Sequence, residues 1–539
     1  MRVLCIWPEF PVTYWGCEYT LGLLGKKAAL PPLGLLTVAA LLPSRWQVRL
    51  CDCNVRPLDA ADLEWADVVF LSGMLIQRPS LEALATRARA AGKRVVIGGA
   101  YASTSPEAVA PFADCVVVGE AEDLVRELAA ALERGDALPP RLQAPVRPDV
   151  TASPTPRYDL LDVTAYQSIG LQFSRGCPFN CEFCDIIEIF GRTPRIKTSA
   201  QVLAELDAIH ATGFRGAVFF VDDNFIGNKV QTRRVLPRVA DWMRAHDDPF
   251  FLYTEASLNL AVDDRLIDAM VDAGFGWVFI GIETPSPEAL HETQKLQNTA
   301  VDAADGVRKL TARGLEVMAG FIVGFDADDA QAVEREREWI RRSPIPLAMV
   351  GLLTALPGTQ LTRRLQREGR LRESSGGEFF GRTNFVTRLD EEELLAGYAR
   401  LLADVYSPDA YFERAARTLE LCPVERSRFR MSAAQTLQWL GRSLWHQGVR
   451  SRYRAAYWRY LARVVRRCPR RLARAVGLAL LGEHMIRYTA EDVLPRLGQA
   501  IEEVRRERTR GPAAVLPPSS DVDVTRDRLV RAGHQHPSA

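Results

Sequence analysis

The sequence predicts an α/β protein made of two consecutive parallel-sheet units and a mostly helical C-terminal region. Short, continuously apolar strands alternate with amphipathic helices over residues 1–150, and the alternation returns on a longer repeat over residues 151–360. Uninterrupted apolar strands indicate parallel sheets that helices cover on both faces. Five such strands fit a doubly wound, Rossmann-like sheet, and six consecutive βα units fit a partial or complete barrel.

The first unit holds five strand candidates. Each is a short run rich in valine, isoleucine and other apolar residues, as strands buried on both faces are. The proline-rich stretch 139–156 that follows predicts a linker. The strand candidates are residues 3–7, 48–51, 68–72, 95–97 and 116–118.

The second unit holds six strand candidates, with helical stretches between them. Residues 361–420 predict an appended mixed segment, and residues 421–510 predict an arginine-rich helical region. Residues 511–539 are rich in Pro, Ser, Asp and Arg and predict a disordered tail. The strand candidates are residues 170–174, 217–221, 251–254, 277–282, 317–323 and 348–353.

The composition is that of a globular protein with an uneven distribution of charge. At 539 residues and 60.0 kDa the chain is too long for a single core, and 47% hydrophobic with 25% charged residues excludes a disordered or fibrous chain. The formal net charge is +1. Residues 421–539 carry 23 Arg, no Lys and 10 Asp and Glu, a net charge of +13, so residues 1–420 sum to −12.

No feature of the sequence predicts secretion or a membrane span. No run approaches the ~18–20 apolar residues of a transmembrane helix. Residues 1–8 lack the long apolar stretch and the small-residue cleavage site of a signal peptide. Ten cysteines in a chain of this length are too sparse for a disulfide scaffold. We expect a reducing, cytoplasmic location, with peripheral contact at the inner membrane face left open.

Three of the ten cysteines are clustered after the first strand of the second unit. Cys177, Cys181 and Cys184 follow the pattern Cys-x3-Cys-x2-Cys. Three thiolates on one tight loop can hold three irons of a cubane cluster and leave the fourth iron open. Structural zinc needs four ligands, and no nearby Cys or His completes a common zinc pattern. The spacing therefore favours an iron–sulfur cluster over zinc or a chance grouping.

This cysteine loop, residues 174–184, resembles the signature of the radical S-adenosylmethionine (SAM) enzymes. The resemblance implies that the three cysteines hold a [4Fe-4S] cluster whose open iron chelates SAM. It also implies reductive cleavage of SAM to a 5′-deoxyadenosyl radical, and hence an external electron donor of the flavodoxin or ferredoxin type. Residues 151–360 are then the radical SAM barrel.

Carboxylates stand at the ends of three later strands of this unit. Asp222 and Asp223 follow the second strand, Glu255 ends the third and Glu283 ends the fourth. The resemblance implies that these positions line the SAM site, with the aspartates as acceptors for the methionine amino group. Glycines in residues 320–325 imply close approach of the backbone to the adenine. Singly, each such carboxylate is also a common helix cap, and the sequence does not separate Asp222 from Asp223.

Three motifs at strand ends of the first unit resemble those of cobalamin-binding domains. The family pattern Asp-x-His, Ser-x-Leu and Gly-Gly corresponds here to Asp52-Cys53-Asn54, Ser72-Gly73-Met74 and Gly98-Gly99. The resemblance implies that residues 1–150 bind cobalamin, with the serine and the glycine pair against its nucleotide tail. A generic open α/β sheet with an ordinary Gly-Gly turn is the alternative.

One position departs from the cobalamin pattern, because Asn54 replaces the motif histidine. Asparagine coordinates a soft, reduced cobalt poorly. We therefore expect bound cobalamin to have no lower histidine ligand from this domain, in which no histidine occurs. The seven histidines of the chain are at positions 210, 246, 291, 446, 484, 534 and 536.

An arginine-rich stretch, residues 442–474, stands apart from both α/β units. It carries 11 arginines interleaved with Trp and Tyr. This composition fits an anionic membrane surface, where aromatic rings sit at headgroup level. A solvated helical bundle fits the stretch at least as well. RNA binding through arginine and aromatic stacking is the least favoured interpretation.

Across residues 1–420 the chain is identified as a member of the cobalamin-dependent radical SAM methyltransferases. The resemblance implies that one SAM yields the radical and another methylates cobalamin, which delivers the methyl group to an unactivated carbon. Runs at residues 14–15, 26–28, 184–192 and 353–359 are similar to hopanoid C-2 methylases, so a polycyclic lipid such as a hopanoid is the expected substrate. A cobalamin-assisted radical cyclase or rearrangement enzyme, and a non-enzymatic cobalamin or redox sensor, are the alternatives.

Overall fold

The structure is a computed structural model that describes residues 1–372, 380–423 and 433–510. The expected disordered tail at 511–539 lies outside the described residues. Within them, two parallel sheets follow one another along the chain, and a helical region completes it. This is the predicted fold class, with the second sheet curled into a half-barrel.

The N-terminal sheet has six parallel strands. They are β1 (Arg2–Trp7), β2 (Gln47–Asp52), β3 (Val68–Ser72), β4 (Arg94–Gly98), β5 (Cys115–Val118) and β6 (Arg141–Gln143). Their order in the sheet is β2-β1-β3-β4-β5-β6. Alternate residues of β1 enter two different apolar cores, Leu4 and Ile6 on one face and Val3 and Cys5 on the other. The sheet is therefore covered on both faces, as its continuous apolar strands predict.

The sixth strand lies in the stretch predicted as a linker. Leu142 is buried between two exposed neighbours and pairs with Val117 of β5. One apolar residue between prolines was too short a pattern to indicate a strand. The helices of this part of the chain are α1 (Glu18–Leu24), α2 (Leu33–Leu41), α3 (Ala60–Trp65), α4 (Arg78–Ala90), α5 (Gly99–Thr104), α6 (Pro106–Val109) and α7 (Val125–Arg134).

The half-barrel also has six parallel strands, and a small antiparallel pair, β8–β9, flanks the cysteine loop. The strands are β7 (Ser168–Leu171), β8 (Ser174–Arg175), β9 (Arg195–Ile196), β10 (Gly216–Phe220), β11 (Phe250–Ala256), β12 (Phe275–Glu283), β13 (Glu316–Val323) and β14 (Ala348–Leu352). The order β14-β13-β12-β11-β10-β7 leaves β7 and β14 as the two edges. The barrel is thus partial. Its helices are α8 (Ile186–Ile189), α9 (Ser199–Ala211), α10 (Lys229–Ala245), α11 (Asp264–Asp272), α12 (Pro287–Glu292), α13 (Ala303–Arg313) and α14 (Ala332–Arg342).

C-terminal helices cover the β14 edge. The hydroxyls of Tyr398 and Tyr406 donate to the carbonyls of Val350 and Ala348, both at 2.7 Å. None of the described helices combines the length and the hydrophobicity needed to cross a bilayer. The helices are α15 (Gln360–Arg367), α16 (Glu391–Val405), α17 (Pro408–Leu421), α18 (Ala433–Ser443), α19 (Arg454–Arg467), α20 (Leu472–Tyr488) and α21 (Leu494–Arg510), with π-helical turns at Leu444–Arg450 and Thr489–Val493.

Much of the arginine-rich stretch 442–474 is used inside the protein. Arg463 pairs with Glu413 at 2.6 Å and with Glu420 at 2.7 Å. Arg474 pairs with Glu316 and lies over the ring of Trp277, 4.2 Å from its centroid. These contacts dock α19 and α20 onto α17 and the half-barrel. Composition alone could not distinguish such internal arginines from exposed ones.

Candidate functional site

The three cysteines lie on the loop between β8 and β9, beyond the carboxyl end of β7. Gly176 has a φ of +95°, and an added Cβ would lie 2.8 Å from the carbonyl oxygen of Gly191, so glycine is required for this turn. The amide of Cys177 donates to the same carbonyl at 3.2 Å, and the amide of Cys184 donates to the carbonyl of Cys181 at 3.2 Å. All three thiols are free.

The donor set of this loop fits an iron–sulfur cluster, because three free thiols on one loop can each bind one iron. Two amides point at the sulfurs: Asn224 Nδ2 donates to Cys177 Sγ (3.8 Å), and Gln297 Nε2 donates to Cys181 Sγ (3.4 Å). Such hydrogen bonds stabilise metal-bound thiolates.

The structure separates the two adjacent aspartates that follow β10. Asp222 is buried and accepts from the Phe173 amide at 3.1 Å and from the hydroxyl (2.5 Å) and amide of Ser174. Asp223 accepts from the Gly176 amide at 2.9 Å. Burial, only partly offset by these hydrogen bonds, raises the pKa of Asp222 to about 7 and that of Asp223 to about 6. Both carboxyl groups hold the backbone that leads into the cysteine loop.

Glu255 and Glu283 stand at the ends of β11 and β12, close enough for their charges to interact. Glu283 has a φ of +68°, and its carboxylate pairs with Lys295 Nζ at 2.5 Å. A Cβ added to Gly281 would lie 2.3 Å from Glu283 Oε1, so the glycine makes room for this pair. Burial, and then repulsion from Asp223, raises the pKa of Glu255 to about 8.

Lys295 is a site residue that sequence reasoning missed. Burial lowers its pKa, but the carboxylate of Glu283 and the nearby cysteine sulfurs more than compensate, and the pKa lies above its ordinary value. No motif marks this lysine. Its rarity was the available signal, because the chain has only seven lysines and this one follows Glu283 by 12 residues. Together, these groups offer acceptors and one ammonium donor to a small polar ligand.

Aromatic side chains share the inward face of the half-barrel with Glu255. Phe219 and Tyr253 stack with their ring centroids 4.6 Å apart, and Trp277 lies edge-on to Tyr253 at 6.3 Å. Trp15, from the segment after β1, reaches Phe279 at 4.8 Å and remains 50% exposed. The lining therefore opens to solvent on one side. These rings give the inward face of the half-barrel an apolar, aromatic character beside the acidic strand ends.

A cavity of about 300 Å³ lies between the carboxyl end of the N-terminal sheet and the half-barrel. Ser72, Gly98 and Gly99 line it, and Arg175 and Phe190 enter from the half-barrel side. Gly99 has a φ of +88°, and an added Cβ would lie 2.3 Å from Ser72 Oγ. Glycine at position 99 therefore lets the Ser72 hydroxyl lie against the backbone, and the cavity wall here consists of backbone and one hydroxyl. This cradle fits the nucleotide-like tail that a cobalamin domain binds.

Asp52, Asn54 and Met74 do not line this cavity. Asn54 Nδ2 donates to the Pro8 carbonyl (3.1 Å) and to the Asp52 carboxylate (2.7 Å), and its Oδ1 accepts from the Phe10 amide (2.8 Å). The asparagine therefore orients the segment after β1, with both polar atoms of its side chain in use. Met74 is 50% exposed. The cobalamin-binding roles of these three residues stay predictions.

A buried ion cluster joins the N-terminal sheet to the cysteine loop. Arg175 pairs with Glu120 and with Glu122, each at 2.7 Å, and Arg195 pairs with Glu120 at 2.6 Å. Burial raises the pKa of Glu122, but the charge of Arg175 holds it below its ordinary value. Arg175 precedes the first cysteine by two residues, and both glutamates line the cavity. These ion pairs therefore hold the cysteine loop next to the cavity.

Family models match three successive parts of the chain. A B12 binding domain matches residues 26–129, and the radical SAM superfamily matches residues 171–340. A domain of unknown function, DUF4070, matches residues 359–494. The first two matches cover the cavity and the cysteine loop, respectively.

Two relatives are similar over nearly the whole chain. An uncharacterized methyltransferase of Synechocystis sp. is 40% identical over 527 residues, which are 96% of this chain and 98% of that protein. The hopanoid C-2 methylase of Rhodopseudomonas palustris is 36% identical over 504 residues, 91% and 94% of the two chains. The structure of the cobalamin-dependent SAM radical enzyme OxsB has a TM-score of 0.58 at 14% identity and covers 94% of this chain and 84% of its own, which shows a shared fold.

Proposed function

The chain belongs to the cobalamin-binding radical SAM methyltransferases, and we propose that it methylates an unactivated carbon of a polycyclic lipid, C-2 of a hopanoid. Its cofactors are a [4Fe-4S] cluster, SAM and cobalamin. When bound, they supply a carbon-centred radical and a transferable methyl group. The observation that carries the substrate class is the aromatic inward face of the half-barrel, in a chain 36% identical to a hopanoid C-2 methylase.

We assign the cluster and SAM to the end of the half-barrel. Cys177, Cys181 and Cys184 each ligate one iron, while Asp222 and Asp223 act mainly by anchoring the loop. Glu255, with a pKa of about 8, stays protonated at neutral pH and can donate a hydrogen bond as well as accept one. Glu283 and Lys295 present a fixed carboxylate and ammonium at 2.5 Å from each other. Such a set matches the hydroxyl, amino and carboxylate groups of SAM.

We assign the tail of cobalamin to the cavity of the N-terminal sheet. Ser72 offers a hydroxyl there, and Gly98 and Gly99 offer bare backbone. No histidine is among the described residues that line this cavity. This observation supports a cobalt without a lower histidine ligand from the N-terminal domain.

We assign the lipid to the aromatic inward face of the half-barrel, next to Glu255. Phe219, Tyr253 and Phe279 offer ring faces and edges on this surface. Trp277 marks its far end, because it donates to Glu316 at 2.9 Å and is covered by Arg474. A rigid ring system loses little conformational entropy on binding to such a surface. The aromatic surface also excludes water from the reacting carbon, and a radical reaction requires this exclusion.

Expression in a hopanoid-producing bacterium that lacks ring methylation tests the proposal. Mass spectrometry of the lipid extract is expected to show a 2-methylhopanoid with the intact gene and none with Cys184→Ala. No methylated hopanoid from the intact, folded protein would remove this substrate. A rearranged lipid without the methyl group of SAM would instead favour the radical cyclase.

We further propose that the exposed surface of residues 437–470 contacts an anionic membrane, where such a substrate resides. Trp458 Nε1 of α19 donates to the Gly448 carbonyl of the π-helical turn Leu444–Arg450 at 2.9 Å, so this turn and α19 lie side by side on that surface. Five arginines on it are exposed and have no ion-pair partner among the described residues. The apolar members are Leu437, Trp445, Val449, Trp458 and Val465, each 48–70% exposed, and the arginines are 450, 452, 454, 466 and 470.

Vesicle sedimentation tests this membrane contact. The protein is expected to sediment with phosphatidylglycerol vesicles and not with phosphatidylcholine vesicles, because the arginines need anionic headgroups. Arg450→Glu/Arg454→Glu should abolish sedimentation, while Arg459→Gln, which removes an arginine already paired with Asp409, should not. Equal sedimentation of all variants, or binding to RNA but not to vesicles, would contradict the membrane assignment.

A further inference from the structure

The cysteine loop is partly open to solvent, whereas the carboxyl groups behind it are buried. Residues 178–180 are partly exposed, and so are Cys177 and Cys184, while Asp222 and Glu283 are buried. The cysteine loop therefore reaches solvent at residues 177–180 and at Cys184, and a cluster on these cysteines can be approached there.

Two exposed arginines lie on this part of the loop. Arg192 donates to the carbonyl of Pro178 at 3.3 Å. Arg147 donates to the carbonyls of Glu188 and Ile189 at 2.8 and 3.2 Å. Neither arginine has a carboxylate partner in the described parts of the chain. Their guanidinium groups are held in place by backbone carbonyls, and their charges are not neutralised by a salt bridge.

A third arginine neutralises the one exposed carboxylate of this loop. Arg363 pairs with Glu188 at 2.7 Å and donates to the Gly358 carbonyl at 2.6 Å. We call Arg147, Glu188, Arg192 and Arg363 the cluster rim. Three positive charges against one negative make the rim basic, although residues 1–420 as a whole sum to −12.

We infer that the cluster rim is the docking surface for an acidic one-electron carrier protein. Opposite charges steer diffusional encounter and fix orientation. Residues 1–420 are otherwise net acidic, and the other basic surface, at residues 450–470, is the one that we assign to the membrane, so the rim is the basic surface beside the cysteine loop that is left to a soluble partner. Guanidinium groups that are already held by carbonyls lose little freedom when the partner binds.

The electron balance of the docked complex is simple. One electron leaves the reduced carrier and enters the cluster, so the carrier is oxidised by one electron and the cluster is reduced by one. No bond forms or breaks, and no proton is needed. The inference rests on the proposed cluster and not on the lipid substrate, so an assay without lipid tests it separately.

The test measures reduction of the cluster in the reconstituted holoenzyme, without SAM or lipid. Reduced flavodoxin, an acidic carrier, is the probe, and bleaching of the cluster absorbance is the readout. Arg147→Glu/Arg192→Glu is expected to slow reduction by flavodoxin at low salt by at least ~10-fold and to weaken binding of oxidised flavodoxin by a similar factor. Reduction by dithionite, which needs no docking site, is expected to be unchanged.

Arg238→Glu on α10 is the matched control, because Arg238 is exposed and no contact of its side chain is described. It should change reduction by flavodoxin less than ~2-fold. The inference is overturned if the rim variant is reduced by flavodoxin as fast as the wild type, or if the control is slowed equally. If Arg147→Glu/Arg192→Glu loses its cluster, Arg192→Gln is measured in its place. Its reduction by flavodoxin should be slower than that of the wild type and of Arg238→Glu, and equal rates would overturn the inference. A wild type that assembles no cluster would contradict the proposed function instead.

Discussion

The N-terminal sheet and the half-barrel are both six-stranded and parallel, but their strand ends present opposite chemistry. The sheet ends in Ser72, Gly98 and Gly99, where the absence of side chains leaves a cradle of backbone. The half-barrel ends in Glu255 and Glu283 beside three cysteines, where buried titratable groups crowd one another. We propose that the strand ends of the N-terminal sheet bind cobalamin and that those of the half-barrel hold the iron–sulfur cluster and SAM.

The difference has a consequence for mutation. A backbone cradle is damaged by added atoms, whereas a set of thiols and paired charges is damaged by lost ones. Substitutions that add side-chain atoms at the strand ends of the N-terminal sheet should abolish cobalamin binding and leave the iron–sulfur cluster intact. Substitutions that remove functional groups from the half-barrel should abolish binding of the cluster or of SAM and leave cobalamin bound.

The largest effect is expected from Cys184→Ala. With one iron ligand lost, the cluster should not assemble fully, and methylated product should fall at least ~1,000-fold, since radical formation depends on the cluster. Iron and sulfide analysis measures the cluster, and corrinoid absorbance measures cobalamin, which should be retained. Cys422→Ala, a buried cysteine far from the loop in sequence, is the control and should keep its cluster. Joint loss of both cofactors in Cys184→Ala would contradict the division.

Lys295→Met is expected to have the next largest effect. It leaves the buried carboxylate of Glu283 without its partner, which costs about 3–5 kcal/mol. The melting temperature and the affinity for SAM should both fall. The double variant Lys295→Met/Glu283→Gln removes the unpaired charge and should recover most of the melting temperature but not the affinity. A double variant no more stable than the single one would show that the pair is not the cause.

Gly99→Ala tests the cradle by addition. Its Cβ would lie 2.3 Å from Ser72 Oγ, and the φ of +88° adds backbone strain, so cobalamin affinity should fall at least ~10-fold while cluster content stays normal. Gly92→Ala is the matched control, because Gly92 has a φ of +71° but nothing within 4 Å of an added Cβ. It carries the strain without the collision. Equal loss of cobalamin affinity in Gly99→Ala and Gly92→Ala would show that backbone strain, and not the collision with Ser72, causes the loss.

The smallest effect is a pH dependence of stability. Because the pKa of Glu255 is raised to about 8, the folded state binds more protons than the unfolded state between pH 4.5 and 8, and stability falls as pH rises through that window. The slope from this group is at most about 1.4 kcal/mol per pH unit. Melting curves of the SAM-free holoenzyme should show a weaker pH dependence in Glu255→Gln than in wild type. Glu288→Gln, which alters an exposed carboxylate, should leave the slope unchanged, and an unchanged slope in Glu255→Gln would contradict the assignment.

The fold was predictable because both sheets are buried on two faces. Continuous apolar runs then mark each strand, and all eleven strand candidates of the two sheets are confirmed. The strand Arg141–Gln143 was not predictable, since its pattern is a single buried leucine. The three cysteines could be recognised because their spacing is local in sequence.

Contacts between distant segments could not be read from the sequence. Lys295 meets Glu283 only because a loop folds back over the end of β12. Arg175 meets Glu120 across 55 residues, and Arg474 meets Glu316 across 158. In each case the residue types gave no sign of the partner, because ion pairs of this kind depend on tertiary packing. The same limit applies to the arginine-rich stretch, where composition does not say which arginines are already paired.

One measurement tests the central claim, that the chain moves a methyl group from SAM to a carbon of a polycyclic lipid. The reconstituted holoenzyme is incubated anaerobically with reductant, methyl-deuterated SAM and an unmethylated hopanoid, and the lipid is analysed by mass spectrometry. We expect a methylated hopanoid that carries the deuterated methyl group, formed together with 5′-deoxyadenosine. Formation of 5′-deoxyadenosine with no label in any lipid ring would contradict the account.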